Sequence, residues 1–131
     1  MACKTYVSDA IISERRWVVE FAEEFEAEFD SLPEAVQDEI LAHSSLLQQF
    51  GPELGRPRVD TLKASTHPNR KELRFNAAGG VWRVAFAFDP ARRAILLVAG
   101  DKSGISMKRF YRQLMRVAEK RFDLHLARLK R

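Results

Sequence analysis

The sequence predicts an α+β fold: a small, mostly antiparallel sheet with a two-helix hairpin before it and a long basic helix after it. Apolar residues recur at steps of three and four across residues 32–50 and again across 107–129, the period of amphipathic helices. Between them, residues 71–100 read as three strands in a row, broken by Gly79-Gly80 and by Asp89-Pro90. Trp17-Val18-Val19-Glu20-Phe21 is β-rich and adds a short N-terminal strand.

Taken in order, residues 1–15 offer only Ile11 and Ile12 as an apolar pair and are expected to form a loose arm. Phe21, Phe25 and Phe29 then repeat every four residues, with Glu23, Glu24, Glu26 and Glu28 between them, which predicts a helix of about two turns. Ser31-Leu32-Pro33-Glu34 reads as the next helix start, with Ser31 as N-cap and Glu34 completing a capping box. Leu32, Val36, Ile40, His43, Leu47 and Phe50 form its stripe, and Gly51-Pro52 stops it. His43, on that stripe, fits a core or boundary histidine better than a ligand. Residues 51–70 hold three prolines and two glycines and predict a long loop with one short turn near Val59. A loop of that length is uncommon unless functional.

In the hairpin, Leu73 and Phe75 share one face, and Glu72, Arg74 and Asn76 the other. Trp82, Val84, Phe86 and Phe88 oppose Val81, Arg83, Ala85 and Ala87 in the same way. Closing the turn at Asn76–Val81 or at Ala77–Gly80 gives one register, which sets Arg74 directly across from Arg83. Like charges so placed destabilise a pair by a few tenths to about 1 kcal/mol. The two arginines are expected on the face away from the aromatic core, with room above the small alanines. Ala94–Gly100 is apolar on both faces and predicts the most buried strand. After Gly100-Asp101-Lys102, the closing helix carries Met107, Tyr111, Leu114, Met115, Ala118, Phe122, Leu126 and Leu129 on one side. Its other sides carry nine lysines and arginines.

The 131 residues suit one domain spanning 1–131. No stretch is apolar enough to span a membrane, and the N-terminus shows no signal-peptide pattern. Cys3 is the only cysteine, so an internal disulfide and a cysteine-built metal site are excluded, and a reducing cytoplasm is expected. The net charge of +4 conceals a division. Residues 1–53 hold 3 Lys/Arg against 12 Asp/Glu, and residues 54–131 hold 19 against 6. If the halves pack as separate layers, the basic one faces a polyanion, most simply nucleic acid.

Arg74 and Arg83 form a fork pair suited to phosphate; the competing reading pairs them with Glu72 and Asp89. Lys102 leaves the buried strand beside them and suits charge stabilisation or proton donation. Tyr111 is most simply a core residue whose hydroxyl can reach the same face. His67, in the neighbouring loop, has the ordinary pKa best suited to acid–base work near neutrality. Scattered histidines argue against a metal site, no phosphate-cradling glycine motif occurs, and no cofactor is expected. Metal-free RNA cleavage fits this inventory, because the 2′-hydroxyl of the substrate supplies the nucleophile and the protein supplies cations and proton transfer.

Glu72-Leu73-Arg74, Trp82-Arg83-Val84, Ala94–Val98 and Gly100-Asp101-Lys102, in this element order, resemble the RelE/ParE toxin superfamily, nearest to its HigB-like, phage-derived branch. The resemblance covers roughly residues 16–122. It implies a toxin that cleaves mRNA, usually in the ribosomal A site, and is neutralised by a helix-turn-helix antitoxin. It also implies catalytic roles for Arg74, Arg83 and Lys102, an acid–base role for Tyr111 on an approximate match, and supporting roles for Lys71 and His67. Ser103 departs from the pattern, since many relatives place a second basic residue there. Lys63, Lys71, Arg109, Arg112 and Arg116 are the expected RNA contacts, with the basic helix docking on ribosomal RNA. Two competing readings share the fold or the charge: a ParE-like gyrase inhibitor and a non-catalytic nucleic-acid-binding module.

Overall fold

The computed structural model describes residues 17–62 and 70–130. The expected arm at 1–15, and Lys63 and His67, lie outside the described residues. The elements are β1 (Val18–Phe21), α1 (Glu23–Phe29), α2 (Glu34–Phe50), a 3-10 turn (Gly51–Glu53), β2 (Val59–Thr61), β3 (Arg70–Ala77), β4 (Gly80–Phe88), β5 (Arg93–Asp101) and α3 (Met107–Leu129). They build one five-stranded sheet in the order β1-β5-β4-β3-β2, antiparallel except for the β1–β5 pair.

The α+β class holds, with two local corrections. Val59–Thr61, expected as a turn within a loop, pairs with β3 as a fifth strand. The predicted capping box at Ser31 does not form. Pro33 takes the N-cap position with extended backbone and no side-chain cap, while Gln37 Nε2 donates to the Leu32 carbonyl at 2.9 Å. Proline suits this start because its missing N–H would lack a helical partner anyway. The expected stop at Gly51 is present, with a positive φ of 55°. A side chain there would run into the Trp17 ring.

Both sheet faces are covered. His43 of α2 packs its ring 5.3 Å from that of Phe75, on the side that also takes Leu73, Val84 and Phe86. His43 is buried and donates through Nδ1 to the Glu39 carbonyl, 2.8 Å away, as expected of a core histidine. The opposite face lies under α3. The room predicted above Ala85 and Ala87 is occupied: both alanines are fully buried, and Phe110, Leu114, Ala118 and Phe122 of α3 are buried with them. Small residues on the strands let the helix approach closely. Gly100 completes this close fit, since a Cβ there would lie 3.0 Å from Phe110 Cε1 and 3.3 Å from Cζ. Gly100→Ala is therefore expected to lower stability by about 1–3 kcal/mol through overpacking, read as a fall in denaturation midpoint.

The charge asymmetry is partly satisfied within the chain. Arg121 pairs with Glu28 of α1 at 2.6 Å, and Arg128 with Glu24 at 3.2 Å. Acidic and basic segments thus touch along the C-terminal half of α3 and do not form two separate layers. Towards its N-terminus Arg109, Arg112 and Arg116 are exposed and make no ion pair with the described residues.

Candidate functional site

The predicted register is present. Arg74 on β3 lies opposite Arg83 on β4, and Arg83 lies opposite Gly100 on β5. Their repulsion is offset inside the chain. Glu72, two residues before Arg74 and so on the same face, puts Oε2 3.3 Å from Arg74 Nη1 and Oε1 3.9 Å from Arg83 Nε. Asp60, directly opposite Glu72 across the β2–β3 ladder, takes Arg74 Nη1 at 3.2 Å and Arg56 at 2.6 Å. Of the competing reading's two pairings, that with Glu72 forms and that with Asp89 does not: at the far end of β4, Asp89 binds Arg93 at 3.0 Å and His125 at 2.9 Å.

Exposure separates the two arginines. The Arg74 side chain is 30% exposed, while that of Arg83 is 7% exposed under α3. Both were expected on an open face, and helix α3 is the reason that only Arg74 has one. Arg83 donates through Nη1 to the Trp82 carbonyl at 2.9 Å and through Nε to the Tyr111 hydroxyl at 3.3 Å. Tyr111, placed by the first turns of α3, is therefore a member of the cluster and not only a stripe residue. Ser106 fixes that helix start by accepting the Arg109 N–H at 3.2 Å.

The electrostatics of the cluster are unusual for a carboxylate between cations. Burial pushes the Glu72 carboxyl above its usual range, although Tyr111, Arg83 and Arg74 all pull the other way. Burial and the adjacent Glu72 raise the Tyr111 phenol. Glu72 Oε1 has no hydrogen-bond partner of ordinary geometry, and the Tyr111 hydroxyl is coupled to this carboxylate. An electron-rich buried acceptor beside a phenol is an arrangement able to move a proton.

Lys102 follows β5 directly. Its N–H donates to the Val81 carbonyl at 2.8 Å, and the residues on either side bind the same strand start. Asp101 Oδ1 accepts the Val81 N–H at 3.1 Å and Ser103 Oγ accepts it at 3.2 Å. Ser103 thus clips the strand exit to the hairpin, where a basic residue was expected. A groove of about 550 Å³ opens alongside, lined by Val98, Gly100, Asp101, Arg109, Phe110 and Leu114 among others. Lys71 is not part of the cluster: strand alternation puts it on the Leu73 and Phe75 side, opposite Phe86.

Glu72 and Asp60 are the members that sequence reasoning passed over as functional groups. The signal for Glu72 was present, because its i, i+2 spacing from Arg74 puts both on one face. Asp60 carried no such signal without the pairing of β2.

Residues 27–123 match the model of the phage-derived Gp49-like protein family. The chain belongs to this family. Among relatives of the Gp49-like chain is a candidate toxin of Mycobacterium tuberculosis, HigB2, 40% identical over 106 residues. That match spans 80% of this chain but only 52% of HigB2, about half its length. A second candidate toxin of the same organism, HigB3, is 51% identical over 82 residues, or 63% of this chain and 69% of HigB3. The fold is similar to that of a doubly substituted E. coli toxin RelE in its free state, with a TM-score of 0.57 at 13% identity. That likeness covers 81% of this chain and 97% of RelE. The Gp49-like chain therefore has the RelE-like architecture that its strand motifs resemble.

Proposed function

We propose that this protein is the toxin of a toxin–antitoxin pair, a metal-free endoribonuclease that cuts mRNA on the ribosome. A helix-turn-helix antitoxin restrains it in the cytoplasm. The observation that carries the reading is the Arg74–Glu72–Arg83–Tyr111 cluster, in which a carboxylate of raised pKa sits between two cations and a phenol. Toxins among the relatives support the biological class.

In this mechanism the scissile phosphate rests against Arg74, the accessible fork. Tyr111 takes the 2′-hydroxyl proton while its own proton passes to Glu72. The 2′-oxygen then bonds to phosphorus and the bond from phosphorus to the 5′-oxygen breaks. Lys102 returns a proton to that oxygen. The products are a 2′,3′-cyclic phosphate and a 5′-hydroxyl end. Arg83 holds the phenol in place and offsets the charge that develops on it and on the phosphate. Glu72 suits the base role because its proton affinity lies closer to working pH than that of an ordinary carboxylate.

Primer extension on transcripts after induction tests the reading. Discrete cuts within coding sequences are expected; intact transcripts with broken chromosomal DNA would favour gyrase poisoning instead. The exposed arginines at the start of α3 are assigned to the RNA backbone. Replacing Arg109, Arg112 and Arg116 together by Ala is expected to reduce the slope of log K against log salt by about 2 for single-stranded RNA, measured by fluorescence anisotropy.

A further inference from the structure

We infer that Asp60 is a positioning residue, which holds Arg74 out towards substrate by competing with Glu72 for the same guanidinium nitrogen. Arg74 Nη1 has two carboxylates within reach at nearly equal distance, Asp60 Oδ2 at 3.2 Å and Glu72 Oε2 at 3.3 Å. Glu72 is 2% exposed and Asp60 18%. Without a competitor, the guanidinium would settle as a fork on the buried carboxylate, which is the stronger arrangement for an arginine. That would neutralise Glu72 and draw Arg74 inwards. Asp60 opposes both by sharing Nη1 with Glu72.

The ladder adds a second effect. Asp60 and Glu72 are directly paired across β2 and β3, so their charges repel. Asp60 itself stays ionised, held below the usual carboxylate range by the hydrogen bond from Arg56. Around Glu72 the other charged or titratable groups are Arg74 on its own strand, Arg83 on β4 and Tyr111 on α3. Further along the same face Arg70 is paired with Glu119 at 3.0 Å. Of the groups acting on Glu72, Asp60 is the one whose charge raises its proton affinity, in the same direction as burial. Sequence spacing gave no reason to link Asp60 with Glu72; the three-residue strand β2 does so.

The kinetic consequence rests on the nuclease reading, whereas the effect on the Glu72 titration does not. Asp60→Asn keeps the shape and the Oδ1 acceptor that binds the Thr61 N–H at 2.9 Å, and removes the charge together with the Oδ2 acceptor that holds Arg74 and Arg56. Two measurements on the full chain decide. Carboxyl NMR is expected to show the Glu72 pKa falling in Asp60→Asn. RNA cleavage is expected to lose about three- to tenfold in kcat, with the acid limb moving to lower pH. Arg56→Gln removes the exposed partner of Asp60 and is expected to leave the Glu72 titration and kcat within about twofold of wild type. An unmoved Glu72 titration in Asp60→Asn overturns the inference. So does an Arg56→Gln loss equal to that of Asp60→Asn, since Asp60 would then serve only to anchor Arg56. If the wild-type protein cuts no RNA, the nuclease reading fails, and the Glu72 titration still decides the role of Asp60.

Discussion

Tyr111→Phe is expected to lower RNA cleavage by about 10²- to 10⁴-fold, the range for a lost acid–base group. Its fold should remain within about 1 kcal/mol of wild type. The ring keeps its packing against Phe110, 5.1 Å away, and Arg83 keeps its bond to the Trp82 carbonyl. Only the hydroxyl between Arg83 and Glu72 is lost. Single-turnover cleavage beside a thermal melt checks both halves. Arg83→Ala is a poorer probe, because it strips a nearly buried charge from beside buried Glu72 and destabilises the sheet as well as the chemistry.

Glu72→Gln is expected to cost a similar factor in cleavage while raising the melting temperature at neutral pH. The sign follows from burial. The folded carboxyl binds its proton more tightly than the unfolded one. Its contribution to stability is therefore fully present below the unfolded value, about 4.3, and is lost as pH rises through the higher folded value. Glutamine resembles the protonated form at every pH. Its advantage over wild type should thus be largest near neutrality and vanish below about pH 4. Melts of both proteins across that range check it. An inactive variant more stable than wild type is the signature of a group kept for chemistry at a cost in stability.

The strand register was legible because a tight turn and strict alternation leave one solution, and Arg74 opposite Arg83 followed directly. The covering of that face by α3 was not legible. Ala85, Ala87 and Gly100 read equally as open space or as the flat bed of a helix, and only packing distinguishes the two. Phe110, buried against Gly100, falls between the expected stripe positions Met107 and Tyr111. Met107 proves 58% exposed, so the true stripe is rotated by one position at its start. The strand β2 escaped notice because three residues among prolines and glycines show no period, yet their pairing with β3 brings Asp60 to Glu72 and Arg74. The arginines, expected to await phosphate, already hold carboxylates, so a phosphate would have to compete for Arg74.

The most direct test of the account is the chemistry of the cut ends. Purified protein, with ribosomes and a defined mRNA in the presence of EDTA chelating adventitious transition metals over excess Mg²⁺, is expected to leave 2′,3′-cyclic phosphate and 5′-hydroxyl termini. Termini with 5′-phosphate and 3′-hydroxyl would contradict attack by the 2′-oxygen and with it the roles given to Tyr111 and Glu72.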